Sequence, residues 1–182
     1  MSKIIHISRI LKWAAIGLCI ALPIIEAGYW ITNGYPFLAP FFQLDVLPTL
    51  ANISWTFKDL NAAQTFLCFL ADLIPMGFSI AALIYLAQIF NAFQRLELFK
   101  ADNALRLKKA GWAVVWGQIF HPIHEAMLSL ILTYRNPPGQ RVISIGFGTH
   151  ELTLLAIGLT ILLVSWIFAE AAKLHEEQAA TI

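Results

Sequence analysis

His121 and His124 stand three residues apart, and Glu125 stands four beyond His121. On a helix His124 and Glu125 both project within about 60° of His121, from one face. Gln118, three residues before His121, lengthens the same stripe. Two more acids, Glu26 and Asp72, interrupt apolar sequence elsewhere. Imidazole and carboxylate at this spacing suit a divalent ion such as Zn²⁺, Mn²⁺ or Fe²⁺, and the candidate metal set is His121, His124, Glu125 and Asp72. A haem axial ligand is a variant of that reading, although His150 falls too near a span end to face these imidazoles at like depth. Proton movement is a third chemistry, with an imidazole titrating near neutral pH against Asp72 or Glu125. The fourth reading is helix pairing through interhelical hydrogen bonds, each contributing about 0.6–2 kcal/mol.

Catalysis has little to build on. The run His121-Pro122-Ile123-His124-Glu125 has the wrong order and spacing for a zinc protease and carries a proline. The sequence has no phosphate-cradling glycine loop, no Gly-x-Ser-x-Gly elbow and no paired-cysteine motif. The expectation is a protein that is not an enzyme.

The elements that must hold these groups follow from composition. Of 182 residues, 59% are hydrophobic and 13% charged, where a soluble domain carries about 25% charged residues. Apolar stretches at 10–31, 65–90, 110–132 and 151–169 each approach the roughly 20 residues a helix needs to cross a bilayer. The expected fold is an all-α integral membrane protein, a four-transmembrane-helix bundle forming one domain over 1–182. Counting about 1.5 Å per residue, Glu26 and Asp72 fall in the outer halves of their spans. His121 falls near the midplane, with His124 and Glu125 slightly further out. An ionisable group at that depth costs at least a few kcal/mol, which makes it a functional candidate in need of a partner. Glu26, close to Tyr29 and Trp30, is expected to reach the outer interface by snorkelling. Pro75 and Pro122 each deprive a carbonyl of its helical donor beside these groups.

Lysine and arginine set the orientation. Lys3, Arg9, Lys12, Arg95, Lys100, Arg106, Lys108, Lys109 and Lys173 fall on one side, and only Lys58, Arg135 and Arg141 on the other. Both termini and the connection 91–109 are therefore expected in the cytoplasm, with the chain in the bacterial inner membrane. Trp13, Trp112 and Trp166 fall toward the inner interface, and Tyr29, Trp30 and Tyr134 toward the outer. The first span is expected to be retained rather than cleaved as a signal peptide, because its apolar run is long and contains Glu26. Cys19 and Cys68 fall inside spans and read as small apolar groups. A net charge of +1, with no basic face, argues against direct nucleic-acid binding.

Two connections are distinctive. The outer loop 32–64 contains the aromatic, proline-broken run Tyr35–Phe42 and is expected to lie along the interface. In the cytoplasmic connection 91–109, Phe93, Leu96 and Phe99 interleave with charges. They form either a partner-docking stripe or an amphipathic face lying on the bilayer. Lys108 and Lys109 are expected among anionic headgroups.

Several short elements occur in a fixed order. They are Leu73-Ile74-Pro75, then Phe99, Asn103, Leu107 and Gly111-Trp112. The turn Asn136-Pro137-Pro138-Gly139-Gln140-Arg141 follows, and Glu170-Ala171 with Glu176-Glu177-Gln178 closes the set. In these the chain, over roughly 65–182, resembles a family of small bacterial four-span proteins catalogued as domain of unknown function 2975. The resemblance implies an inner-membrane protein with a regulatory role, because some relatives are encoded beside small helix-turn-helix regulators. The leading expectation is a protein that binds or restrains such a cytoplasmic regulator. The alternative is a metal-, haem- or proton-binding membrane protein using the intramembrane histidines and acids.

Overall fold

The computed structural model describes residues 2–32, 60–98 and 100–180, and among these the regular secondary structure is all helical. Four helices follow in order: α1 (Ser2–Ile31), α2 (Ala62–Gln94), α3 (Ala101–Thr133) and α4 (Thr149–Ala180). With 30 to 33 residues each, they run about 45–50 Å, longer than a hydrocarbon layer of about 30 Å. Three are long and apolar enough to cross a membrane: Lys3–Ile31, Ala62–Gln94 and Thr149–His175. The third helix falls short because Gln118, His121, His124 and Glu125 dilute it. It lies between α2 and α4 and packs against both, so its polar groups meet protein rather than lipid.

Neighbouring helices run antiparallel. On the α2–α3 seam, Gln64 Nε2 donates to the Ile131 carbonyl at 3.0 Å, and Lys109 Nζ lies over the Tyr85 ring at the other end. On the α1–α2 seam, Lys12 Nζ donates to Asn91 Oδ1 at 3.0 Å, while Trp30 reaches Asp72. Both chain ends and the α2–α3 turn therefore share one end of the molecule. Each helix packs only against its chain neighbours. Among the described residues no Cα atoms of α1 and α4 come within 8 Å. The bundle is thus an open row, with α1 and α4 as its edges and their large apolar side chains facing outward. Trp13 is 63% exposed and Trp166 61%.

Close approach holds the α3–α4 seam. A Cβ at Gly158 would stand 2.9 Å from Val115 Cγ2, and one at Gly111 would stand 3.0 Å from Leu162 Cδ2. Small residues of this kind let helices pack by dispersion where lipid supplies no hydrophobic drive. At the start of α2 a full capping box forms. Asn61 Oδ1 accepts from the Gln64 amide, and the Gln64 side chain accepts from the Asn61 amide.

The connections differ from expectation. The segment 91–109 is the last turn of α2, a tight turn and the first two turns of α3. Asn103 closes that turn by donating from Nδ2 to the carbonyls of Glu97 and Leu98, and Leu96 takes a left-handed φ of 60°. The stripe is not one helix face: Phe93 is half-buried at the end of α2, Leu96 is exposed in the turn, and Phe99 lies outside the described residues. Positions 33–59 of the interfacial loop also lie outside them.

Candidate functional site

Asp72 is the centre of the buried polar groups. It sits on α2 about 15 Å from the helix start and is 7% exposed. Its Oδ1 lies 2.6 Å from His124 Nε2 of α3, and its Oδ2 accepts from Trp30 Nε1 of α1. Glu26, one turn before Trp30 on the same face of α1, lies near enough to Asp72 and Trp30 to interact with both. Three helices thus converge on one carboxylate.

The contact is sealed on the side of the α1–α2 connection. Tyr29, Trp30, Cys68, Leu128 and Leu132 form a buried apolar cluster, with Leu60, Phe69 and Ile131 packed against it. Tyr29 and Trp30 are therefore core residues rather than interfacial anchors. Glu26 turns inward instead of snorkelling outward. Their i, i+4 spacing puts the acid and the indole on one face of α1.

The stripe on α3 divides between its two neighbours. His124 goes to α2. His121 goes to α4, where its Nδ1 lies 3.7 Å from Glu151 Oε1, an ion-pair separation too long for a hydrogen bond. Glu151 also accepts from the Gly148 amide through Oε2 at 2.7 Å and so caps α4. The two imidazole rings stand 5.8 Å apart. Glu125 faces the chain before α4, where its Oε2 lies against Gly146. Titratable groups from all four helices, Glu26, Asp72, His124, His121 and Glu151, thereby lie in one layer.

Of the metal set expected from sequence, the structure brings Asp72 and His124 together and directs His121 and Glu125 elsewhere. Among the described residues no three His, Cys, Asp or Glu side chains converge as a metal site would require. Trp30 and Glu151 were absent from the expected site. A Glu three residues after a glycine at a helix start was the available signal for Glu151, and the i, i+4 spacing to Glu26 was the signal for Trp30.

The chain between α3 and α4 reaches the same layer. After the turn at Pro137–Gln140, where Gly139 takes φ 92°, extended backbone runs back along α3. The Val142 amide donates to Thr133 Oγ1 at 3.2 Å, and the Ser144 amide to Ser129 Oγ at 2.9 Å. Non-helical backbone at membrane depth is tolerated where protein satisfies it, and the two hydroxyls do so at alternate residues. As a result α4 begins level with His121, about 18 Å short of the end of α3.

Prolines flank the layer. Pro23, Pro75 and Pro122 stand within α1, α2 and α3, each within three residues of Glu26, Asp72 or His124. Each removes one helical hydrogen bond, so all three helices are mechanically weaker at the depth of their titratable groups.

Fold and site together define a helical multi-pass membrane protein with a buried carboxylate–imidazole contact. The family model described as "Protein of unknown function (DUF2975)" matches residues 45–182, and the chain belongs to that family. The match begins earlier than the resemblance read from the motifs and includes α2, α3 and α4. Glu26 and Trp30 precede it. No curated protein and no solved structure matches the chain.

Proposed function

We propose that this is a non-enzymatic protein of the bacterial inner membrane, with both termini cytoplasmic, whose Glu26–Asp72–His124 contact binds and releases a proton. The observation that carries the reading is the convergence of an imidazole and an indole N–H on the buried Asp72, with Glu26 beside them. The hydrogen-bond inventory assigns the donors. Asp72 accepts from Trp30 and from His124 Nε2–H, and the proton bound and released is one that Asp72 and the neighbouring Glu26 can each hold. His124 Nδ1 is buried with no hydrogen-bond partner, which leaves Nε2 as the ring nitrogen that meets Asp72. Adding or removing a proton here changes the bonds between α1, α2 and α3 together, next to the three prolines. The groups facing the contact are Glu26, Tyr29 and Trp30 from α1, Cys68 from α2, and His124 with its neighbours His121 and Glu125 from α3.

Among the described residues a metal reading lacks a third converging ligand. The regulator-restraining reading rests on the α2–α3 turn, where Leu96 is the exposed member of the two described stripe residues.

The deciding experiment is infrared difference spectroscopy on the protein in lipid, stepping between neutral and acidic buffer. The expected result is a carboxyl C=O band that shifts in D₂O and disappears in Glu26→Gln and in Asp72→Asn. An unchanged spectrum in the wild type across the step would leave the contact a structural tie only.

A further inference from the structure

At the opposite end of the α1–α2 seam from the polar layer lies a groove of about 440 Å³. Its α1 wall runs Lys12, Ile16, Ile20. Its antiparallel α2 wall runs from Asn91 to Ile84, and Arg106 of α3 joins the polar end. The groove therefore changes character along its length: two cations and an amide at one end, branched aliphatic side chains at the other. None of its lining residues is acidic.

The two cations are held by neutral groups. Lys12 Nζ donates to Asn91 Oδ1 at 3.0 Å, and Arg106 Nη1 donates to Asn103 Oδ1 at 3.3 Å. The acid whose field Arg106 feels is Glu97, and its carboxylate is bonded to Lys100 at 2.9 Å. Arg106 keeps further N–H donors and Lys12 further ammonium protons. Both residues are half-buried, so their charges are fixed in place rather than freely solvated.

Depth selects the ligand. Lys12 lies about 21 Å along α1 from Glu26, at the end of the molecule that carries both termini. Ile20 lies about 12 Å further into the hydrocarbon than Lys12. A cationic end at headgroup depth, continuous with an apolar channel toward the bilayer interior, matches a phosphate joined to an acyl chain. Basic pockets between membrane helices bind anionic headgroups through such charges, and the planar guanidinium suits bidentate contact to phosphate. A zwitterionic lipid would bring a cation toward two others. A free phosphate would leave the aliphatic half unfilled.

We propose that this groove is a site for an anionic phospholipid, whose phosphate sits between Lys12 and Arg106 and whose acyl chain lies along Ile16, Ile20 and Ile84.

The test is native mass spectrometry of the full chain in mild detergent, titrated with phosphatidylglycerol or phosphatidylcholine. The wild type should prefer phosphatidylglycerol by roughly 10–30-fold. K12Q/R106Q should abolish the preference, while K3Q/K108Q, an equal charge change at exposed positions, should retain it. Ile84→Trp should weaken phosphatidylglycerol with both cations intact. The proposal fails if the wild type shows no preference, or if K3Q/K108Q loses as much as K12Q/R106Q. It also fails if inorganic phosphate displaces the lipid at equal concentration, which would mark a soluble-anion site. The wild-type preference and the phosphate competition decide the matter even if a variant does not fold.

Discussion

Asp72 and His124 lie 52 residues apart in the chain and meet across the α2–α3 seam with Oδ1 and Nε2 2.6 Å apart. That contact ties the most polar helix to its neighbour at a depth where neither group has water to turn to. It is the most economical explanation of why α3 tolerates its histidines.

Breaking it should be costly. Asp72→Asn leaves the amide of the new side chain facing donors from Trp30 and His124, and a loss of about 1–3 kcal/mol is expected. A double-mutant cycle with His124→Gln, read by unfolding in mixed micelles, should give a coupling of about 0.6–2 kcal/mol. Strict additivity of the two changes would show that the pair contributes nothing jointly.

The α3–α4 seam should respond to one added methyl. Gly158→Ala meets Val115 at 2.9 Å, and Gly111→Ala meets Leu162 at 3.0 Å, so each should destabilise by about 1–3 kcal/mol. Gly17→Ala, with nothing within 4 Å of the new Cβ, should be neutral or slightly stabilising through helix propensity. Equal effects at all three positions would contradict the close packing.

The segment returning along α3 hangs on two hydroxyls. Ser129→Ala with Thr133→Val removes the acceptors of the Ser144 and Val142 amides. Hydrogen exchange at those two amides should accelerate while α1 and α2 stay protected. Unchanged exchange would mean that other groups hold the segment.

The turn offers a pH test outside the membrane layer. The Lys100 ammonium, bonded to Glu97, holds that carboxyl below its ordinary range, with Arg95 and Arg106 adding to the effect. A lowered folded value means the interaction is present above the carboxyl's unfolded value and is lost as pH falls through the lowered one. Lys100→Gln should raise the Glu97 titration toward normal, measured by carbon NMR of the carboxyl. No movement would disprove the contact in solution.

Asp72, His121 and His124 were legible in the sequence because ionisable groups in apolar runs stand out. Their partners were harder to read. Glu26 and Trp30 sit at a span end, where an acid and an aromatic ring suit an interface equally well; only the position of α2 decides that they face inward. Glu151 read as the edge of a span because its partner is on another helix, and periodicity within α4 says nothing about His121. The division of the α3 stripe has the same cause: a face of about 100° is wide enough to serve two neighbours. The cytoplasmic connection was misjudged because apolar residues among charges imitate an amphipathic helix. In fact Asn103 holds the Glu97 and Leu98 carbonyls in a turn, and α2 and α3 take the residues on either side.

The chain-ordered row has a consequence for biogenesis. Every seam joins a helix to the one synthesised just before it, so each new span finds its docking face already in the membrane as it leaves the translocon. Neither α1 nor α2 need wait for the last helix to arrive; only α3 does. Glu26 and Asp72 need meet only when α2 enters, and His121 gains Glu151 only at the end. The costliest groups thus meet their partners seam by seam, in the order in which the ribosome delivers them.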